Sequence, residues 1–199
     1  MKQGRILIVS GPSGVGKGTI VREVMKDNPS LQFSVSATTR AIRPGEVEGK
    51  SYYFVTKEQF EAMIAAGELL EHACYAGNYY GTPLKPVEAA LAEGISIVLE
   101  IDVQGALQVM QRRPDVISVF IAPPSFAELK RRLAGRGDTP PEVAARRLEV
   151  AEQECKVASQ YQYTIVNDDL QQAVAALEAI LTAERCRSAY CGIDFKEEP

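Results

Sequence analysis

Nine residues limit what this chain can fold into. Gly11-Pro12-Ser13-Gly14-Val15-Gly16-Lys17-Gly18-Thr19 follows directly on the apolar run Ile6-Leu7-Ile8-Val9. Gly11 and Gly16-Lys17 have the spacing that lets successive backbone N–H groups curl round a phosphate while the lysine ammonium reaches the outer phosphates. The flanks agree with that reading. Ile6 to Val9 is a short buried-strand pattern, and Thr19-Ile20-Val21-Arg22-Glu23-Val24-Met25 opens a helix whose N-terminal dipole favours anions. A strand, a glycine-rich loop and a helix in this order define a phosphate-binding unit of an α/β sheet. The position after Lys17, commonly a magnesium-binding Ser or Thr, is Gly18.

The bulk of the chain fits one domain with appended parts: 199 residues, 46% hydrophobic and 24% charged. A net charge of -4 argues against a general nucleic-acid or membrane surface, so any anion site must be local. Arginines do cluster locally, at Arg131, Arg132, Arg136, Arg146 and Arg147. Met1-Lys2-Gln3-Gly4-Arg5 runs straight into the first strand without a signal-peptide core, and no apolar run reaches membrane-spanning length, so the cytosol is the expected compartment. Cys74, Cys155, Cys186 and Cys191 are scattered and form neither a zinc motif nor a disulfide framework. The single histidine, His72, reads as a surface or packing residue.

Periodicity divides the chain into a core with two additions. Phe33-Ser34-Val35-Ser36 alternates as a short strand, Tyr52-Tyr53-Phe54-Val55 as another, and residues 57–66 as an amphipathic helix ended by Gly67. Leu69 to Ala73 and Gly77 to Thr82 are extended segments joined by a turn, so residues 33–82 read as a small, mostly β lobe. The α/β alternation then resumes. A helix from Pro83 to Glu93 precedes the near-continuous apolar run Ile95 to Asp102, which ends in acids at Glu100 and Asp102, where ligands of open α/β sheets bind. Val103 to Arg113 suits a helix, Val116 to Ile121 a strand, and Ser125 with Glu128 a capping box. Gly135-Arg136-Gly137-Asp138-Thr139 is a glycine-flanked arginine loop before a helix running from Pro140-Pro141-Glu142 to about Ala158. Tyr163 to Val166 is the last strand and Leu170 to about Arg185 the last helix; the tail, 186–199, has no clear period. The expected organisation is therefore a parallel sheet core from 1–32, 83–124 and 160–185, the lobe 33–82, and a helical arginine lid over 125–159.

Several long, ordered stretches resemble the guanylate kinase family from Gly4 to about Arg185. They are the loop Gly11 to Lys17, then Phe33 through Glu46 with Gly49 and Tyr52, then Gly77-Asn78-Tyr79-Tyr80-Gly81-Thr82, Glu100-Ile101-Asp102-Val103-Gln104-Gly105, and Ile165-Val166-Asn167-Asp168-Asp169. The resemblance implies a cytoplasmic enzyme of purine metabolism with a P-loop NTPase-type core. It would transfer the γ-phosphoryl of ATP, with magnesium, to GMP and by analogy dGMP, without nucleic acid, membrane or obligate protein partner.

Residue by residue, the resemblance implies that Gly11, Pro12, Ser13, Gly14, Val15, Gly16, Lys17, Gly18 and Thr19 bind ATP phosphates, with Asn167 and Asp168 on the adenine side. Arg40 and Arg43, with Tyr52 and Tyr80, match the clamp on the GMP phosphate, a task suited to arginine because its planar fork meets phosphate oxygens bidentately. Glu71 matches the acid that reads guanine, and Ser36, Thr82 and Glu46 belong to the same set. A carboxylate accepts both adjacent donors of guanine, N1–H and the exocyclic amine, whereas adenine would leave it facing an acceptor. Lys17 and Arg43, with the lid arginines Arg132, Arg136 and Arg147, are the expected groups on the transferring phosphoryl. Glu100 and Asp102, which end the buried strand, are expected to belong to the GMP site, and Asp102 also to order magnesium's waters.

Two alternatives stand beside this reading. Gly16-Lys17-Gly18-Thr19 is also similar to adenylate kinases, so another nucleoside monophosphate could be the acceptor; the 33–82 lobe with Glu71 argues against it. Guanylate-kinase-like protein-binding modules have lost catalysis, but they typically damage the phosphate loop, and here Lys17 and the arginines are intact.

Overall fold

Every residue of Ile6–Ser10 is buried, so both faces of this strand must be covered. Side chains alternate across a strand. Leu7 and Val9 pack with Ile20, Val21, Val24, Leu129 and Leu177, whereas Ile6 and Ile8 pack with Val87, Leu91, Val103, Ala106 and Val109. The computed structural model, which describes residues 4–75, 77–134 and 141–189, places this strand in the middle of a three-layer arrangement.

The elements in order are β1 (Ile6–Ser10), α1 (Lys17–Lys26), β2 (Leu31–Phe33), β3 (Ala37–Thr38), β4 (Tyr53–Phe54), α2 (Lys57–Ala65), β5 (Leu69–Tyr75), β6 (Asn78–Pro83), α3 (Leu84–Ala92), β7 (Ser96–Glu100), α4 (Val103–Arg112), β8 (Ile117–Ala122), α5 (Phe126–Ala134), α6 (Pro141–Lys156), a 3-10 turn at Ala158–Gln160, β9 (Tyr163–Val166) and α7 (Leu170–Arg185). A five-stranded sheet runs β2-β7-β1-β8-β9 with all its pairs parallel. Helices α1, α5 and α7 contribute to the core on one face, α3 and α4 to that on the other. Such a sheet, buried on both sides, accounts for the near-continuous apolar runs of β1, β7 and β8. The expected parallel α/β core is thus the observed one.

The second sheet is smaller, β4-β3-β6-β5, with β5 at one edge. Phe60 of α2 is fully buried and stacks on Tyr79 at 5.2 Å between ring centroids. Thr56 starts α2 with a reciprocal capping box to Gln59. The box expected at Ser125 is only half formed: Ser125 Oγ accepts from Glu128 N, but the Glu128 carboxylate turns to Arg131 and Arg132.

The strand expected over 33–36 is a correction. Leu31–Phe33 joins the parallel sheet, Ala37–Thr38 joins the second sheet, and Ser34 to Ser36 carry the chain between them. Ser34 N still donates to Val98 O of the first sheet, while Ser36 O already accepts from Tyr53 N of the second. Alternation reports which side chains are buried and is blind to a change of sheet. Among the described residues no helix is long and apolar enough to cross a membrane.

Candidate nucleotide site

The glycine-rich loop leaves the carboxyl end of β1, with two of its glycines forced by geometry. Gly11 has φ 139° and Gly16 has φ 93°, a region that L side chains avoid. A Cβ at Gly11 would lie 2.2 Å from Ile121 O, and one at Gly16 would lie 2.6 Å from Asn167 Nδ2. Gly16 caps α1, and Lys17 is its first residue. Lys17 Nζ turns back across the loop to donate to Gly11 O at 2.6 Å and Pro12 O at 3.0 Å. Burial lowers the lysine pKa, and the negative charges of Glu100, Glu154 and Asp102 oppose that shift.

Asn167 braces this loop from the β8–β9 side. Its Nδ2 donates to Val15 O at 2.6 Å, its N to Ala122 O at 2.9 Å, and its O accepts from Arg132 Nη1 at 3.0 Å. Arg132 Nε in turn donates to Glu128 Oε1 at 2.7 Å. The Asn167 side chain is therefore committed to the loop backbone, and the neighbouring Asp168 is exposed.

Strand register brings acids to the same place. Glu100 ends β7 opposite Val9 of β1. Both its carboxylate oxygens lie 3.0 Å from where a Cβ on residue 18 would stand, so Gly18 leaves the room that Glu100 fills. Asp102 is the N-cap of α4, its Oδ1 accepting from Gly105 N at 2.7 Å, which stabilises the helix start and fixes the carboxylate. Glu154 of α6 is half-buried; burial raises its pKa, Lys17 lowers it, and Asp102 raises it further. Tyr161 packs edge-on against Phe120 at 5.2 Å, and burial pushes its hydroxyl up to about 12.

The second sheet contributes two groups. In the first, Glu71 and Thr82 are paired across β5 and β6, both buried, and Thr82 Oγ1 donates to Glu71 Oε1 at 2.7 Å. Burial raises the Glu71 pKa to about 7; the Thr82 bond and the Arg112 charge lower it, and Asp102 raises it. Its other oxygen, Oε2, lies 2.7 Å from where a Cβ on Gly105 would be, so the carboxyl sits against the first turn of α4. In the second group, Arg40 forks onto Glu46, Nη2 to Oε1 at 2.7 Å and Nη1 to Oε2 at 3.1 Å. Its guanidinium lies over Tyr52 at 5.4 Å and Phe54 at 5.9 Å, and it interacts with Tyr80, whose ring meets Tyr52 edge-on at 6.2 Å. The Arg43 side chain is exposed, while its N donates to Glu46 Oε2 at 2.8 Å.

The residues expected from sequence therefore fall into three clusters: Gly11 to Thr19 with Glu100, Asp102, Arg132 and Asn167; Glu71 with Thr82; and Arg40 with Glu46, Tyr52 and Tyr80. Ser36 lies in the crossing between the sheets and Arg147 is half-buried on α6. Arg136 and Cys191 lie outside the described residues. Sequence reasoning missed Glu154, although it stands two helical turns beyond Arg147 on the same face. It also missed Gln108 and Arg112, which tie α4 to β5.

With this geometry described, the comparisons with known proteins agree with one another. A family model described as guanylate kinase matches residues 3–184. A guanylate kinase of Carboxydothermus hydrogenoformans is 51% identical over 187 residues, covering 94% of this chain and 92% of that protein. One of Halalkalibacterium halodurans is 48% identical over 186 residues, covering 94% and 91%. The crystal structure of guanylate kinase from Anaplasma phagocytophilum superposes with a TM-score of 0.75 at 39% identity, covering 95% of this chain and 90% of that one. A match spanning the loop at Gly11, the second sheet and β9 in one register, together with the sites just described, places the chain in the guanylate kinase family.

Proposed function

We propose that the chain transfers the γ-phosphoryl group of ATP to GMP, giving ADP and GDP. The observation that carries the choice of GMP is the buried Glu71–Thr82 pair set against α4. As a carboxylate, Glu71 accepts from N1–H and the exocyclic amine of guanine, with Thr82 and Ser36 supplying hydroxyls; adenine would leave a desolvated acceptor unpaired. Arg40, Arg43, Tyr52 and Tyr80 take the GMP phosphate, and Glu46 holds the Arg40 fork before the nucleotide arrives.

The donor lies at the loop Gly11 to Thr19. Lys17 leaves the Gly11 and Pro12 carbonyls for the outer phosphates, and Asn167, with Asp168 beside it, supports the loop on the adenine side. The acceptor oxygen belongs to a phosphate already ionised near neutral pH, so alignment and charge neutralisation carry the reaction without a general base. Arg132, Arg136 and Arg147 supply the remaining positive charge. Residues 33–82 serve as the acceptor lobe and 125–159 as a lid, whose closing excludes water from the transfer.

Magnesium accompanies ATP in this reading. Among the described residues no group of three or more His, Cys, Asp or Glu side chains is arranged to hold a metal ion. The donors at the loop fit a hydrated ion on the phosphates: Gly18 has no hydroxyl, Glu100 fills the space beside it, and Asp102 is fixed nearby as the helix cap. Asp102 and Glu100 would hold the ion through its waters, and the ion would neutralise charge on the β- and γ-phosphates. The reaction would take place in the cytoplasm and feed GTP and dGTP supply.

ADP release from MgATP in the presence of GMP, AMP or UMP tests the proposal. Release with GMP and not with AMP or UMP is expected. A preference for AMP would move the chain to another acceptor, and no release with any monophosphate would leave a binding module.

A further inference from the structure

Helix α4 packs on the parallel sheet, yet one of its faces runs along β5 of the second sheet. β5 is an edge strand, so backbone groups on its outer side have no neighbouring strand to pair with. Gln108 takes that place: its Oε1 accepts from His72 N at 3.3 Å and its Nε2 donates to His72 O at 3.0 Å. Arg112, one turn further on, donates from Nη1 to Leu69 O at 3.1 Å and Leu70 O at 3.0 Å. One turn before Gln108, Gly105 leaves the space taken by the Glu71 carboxyl. Three positions on one helix face thus meet four consecutive residues of β5, and Glu71 lies between the two points at which the backbone is held.

We propose that Gln108 is a positioning residue for base selection: by holding the peptide groups of His72 it sets how far the Glu71 carboxyl reaches toward the base of the acceptor nucleotide. This rests on the reading of the chain as an ATP:GMP phosphotransferase. The covalent path from α4 to β5 is long, and among the described residues the second sheet has no other strand beyond β5 to fix its edge. The side-chain amide of Gln108 offers a donor and an acceptor side by side, as a paired strand would. Discrimination by a carboxylate depends on placement, because a displacement of about 1 Å in a positioned group can cost about a hundredfold.

Gln108→Met keeps the length and flexibility of the side chain and removes both hydrogen bonds. KM for GMP is expected to rise about tenfold, through displacement of Glu71 by part of the ~1 Å that can cost about a hundredfold. The KM for ATP and kcat stay within about twofold, because neither the loop nor Lys17 is touched. The readout that a merely structural role would not move is the preference for GMP over IMP, which lacks the exocyclic amine. That preference is expected to fall in the variant, since a misplaced Glu71 loses more with GMP than with IMP. Gln108→Glu keeps the acceptor for His72 N but sets a carboxylate oxygen against His72 O, and it is expected to lower the preference at least as far; it carries the test if the methionine variant fails to fold. An unchanged GMP-to-IMP ratio in the folded variants overturns the proposal, as does a fall in kcat with KM unchanged. A wild-type chain that does not phosphorylate GMP overturns the activity and this role together, whereas an active wild type with unaffected variants overturns the role alone.

Discussion

Thr82 Oγ1 donates a 2.7 Å hydrogen bond to Glu71 Oε1 across β5 and β6, with both residues buried. One oxygen of the carboxyl is thereby held from its own sheet while the other faces α4. Burial has the larger effect on its ionisation, raising the pKa from 4.5 to about 7 despite the Thr82 bond.

Glu71 should therefore make GMP use depend on pH near neutrality. The carboxylate form accepts from guanine, so KM for GMP should rise as pH falls through about 7, by up to tenfold per unit well below it, while KM for ATP stays level. A KM for GMP that is flat between about pH 6 and 8 would mean that Glu71 is already ionised across that range, so that burial does not hold its proton to neutrality.

The same shift has a consequence for stability. An acid whose pKa is higher folded than unfolded holds its proton more tightly in the native state, so its contribution is fully present below about 4.5 and lost as pH rises through about 7. Glu71→Gln keeps a group able to accept from Thr82 and never ionises. It should melt at a higher temperature than wild type above pH 7, by a free energy on the order of 1–3 kcal/mol, and match it at low pH. Thermal melts across pH check this, and GMP preference should be lost in the same variant.

Gly105→Ala separates fit from folding. The added methyl would stand 2.7 Å from Glu71 Oε2, so the carboxyl must move. Gly105 lies inside α4, where alanine is favoured over glycine by about 1 kcal/mol. A rise in KM for GMP of at least about tenfold is expected with no loss of melting temperature. Steady-state kinetics beside a melt decide it, and unchanged kinetics would mean that the Glu71 position does not set affinity.

Asn167→Ala should act on the loop. It removes the 2.6 Å bond to Val15 O and leaves a buried carbonyl without its donor, a cost of about 1–3 kcal/mol. A melting temperature lower by several degrees and a higher KM for ATP, with KM for GMP little changed, are expected. Equal effects on both substrates would argue for general loosening instead.

Lys17→Met should cut turnover about 10²–10³-fold, as for the loss of a group placed on developing charge. Lys17 is half-buried and burial lowers its pKa, so the fold gains little from its charge and cooperative melting should persist without it. Single-turnover measurements with saturating ATP and GMP are the check; retained turnover would place another group on the phosphoryl.

The elements that were legible in the sequence are those governed by local rules. The spacing of Gly11, Gly16 and Lys17 fixes a backbone shape, and the apolar runs of β1, β7 and β8 report burial on both faces whatever their order in the sheet. Glu71 is placed by the family resemblance between the matching stretches that end at Tyr52 and resume at Gly77; nothing in Leu69-Leu70-Glu71 itself marks it as a buried acid. Gln108, Arg112 and Glu154 were not legible, because a polar residue on a helix looks the same whether it faces water, a strand edge or a lysine. The change of sheet at Ser34 to Ser36 escaped for a related reason, since partners decide it and alternation does not.

The alternation along β1 also works as a ruler. Leu7 and Val9 belong to one helical layer, Ile6 and Ile8 to the other, and Gly11 follows one residue after the strand ends. Inserting a single residue between Ile6 and Val9 would exchange the two layers' side chains and push the phosphate loop out of step with Glu100 at once. The exposed turn at Ala66 and Gly67, between α2 and β5, carries none of the nucleotide groups and should accept longer insertions at less cost. Anyone grafting a tag or sensor into this enzyme should choose that segment and leave the first ten residues uncounted and uncut.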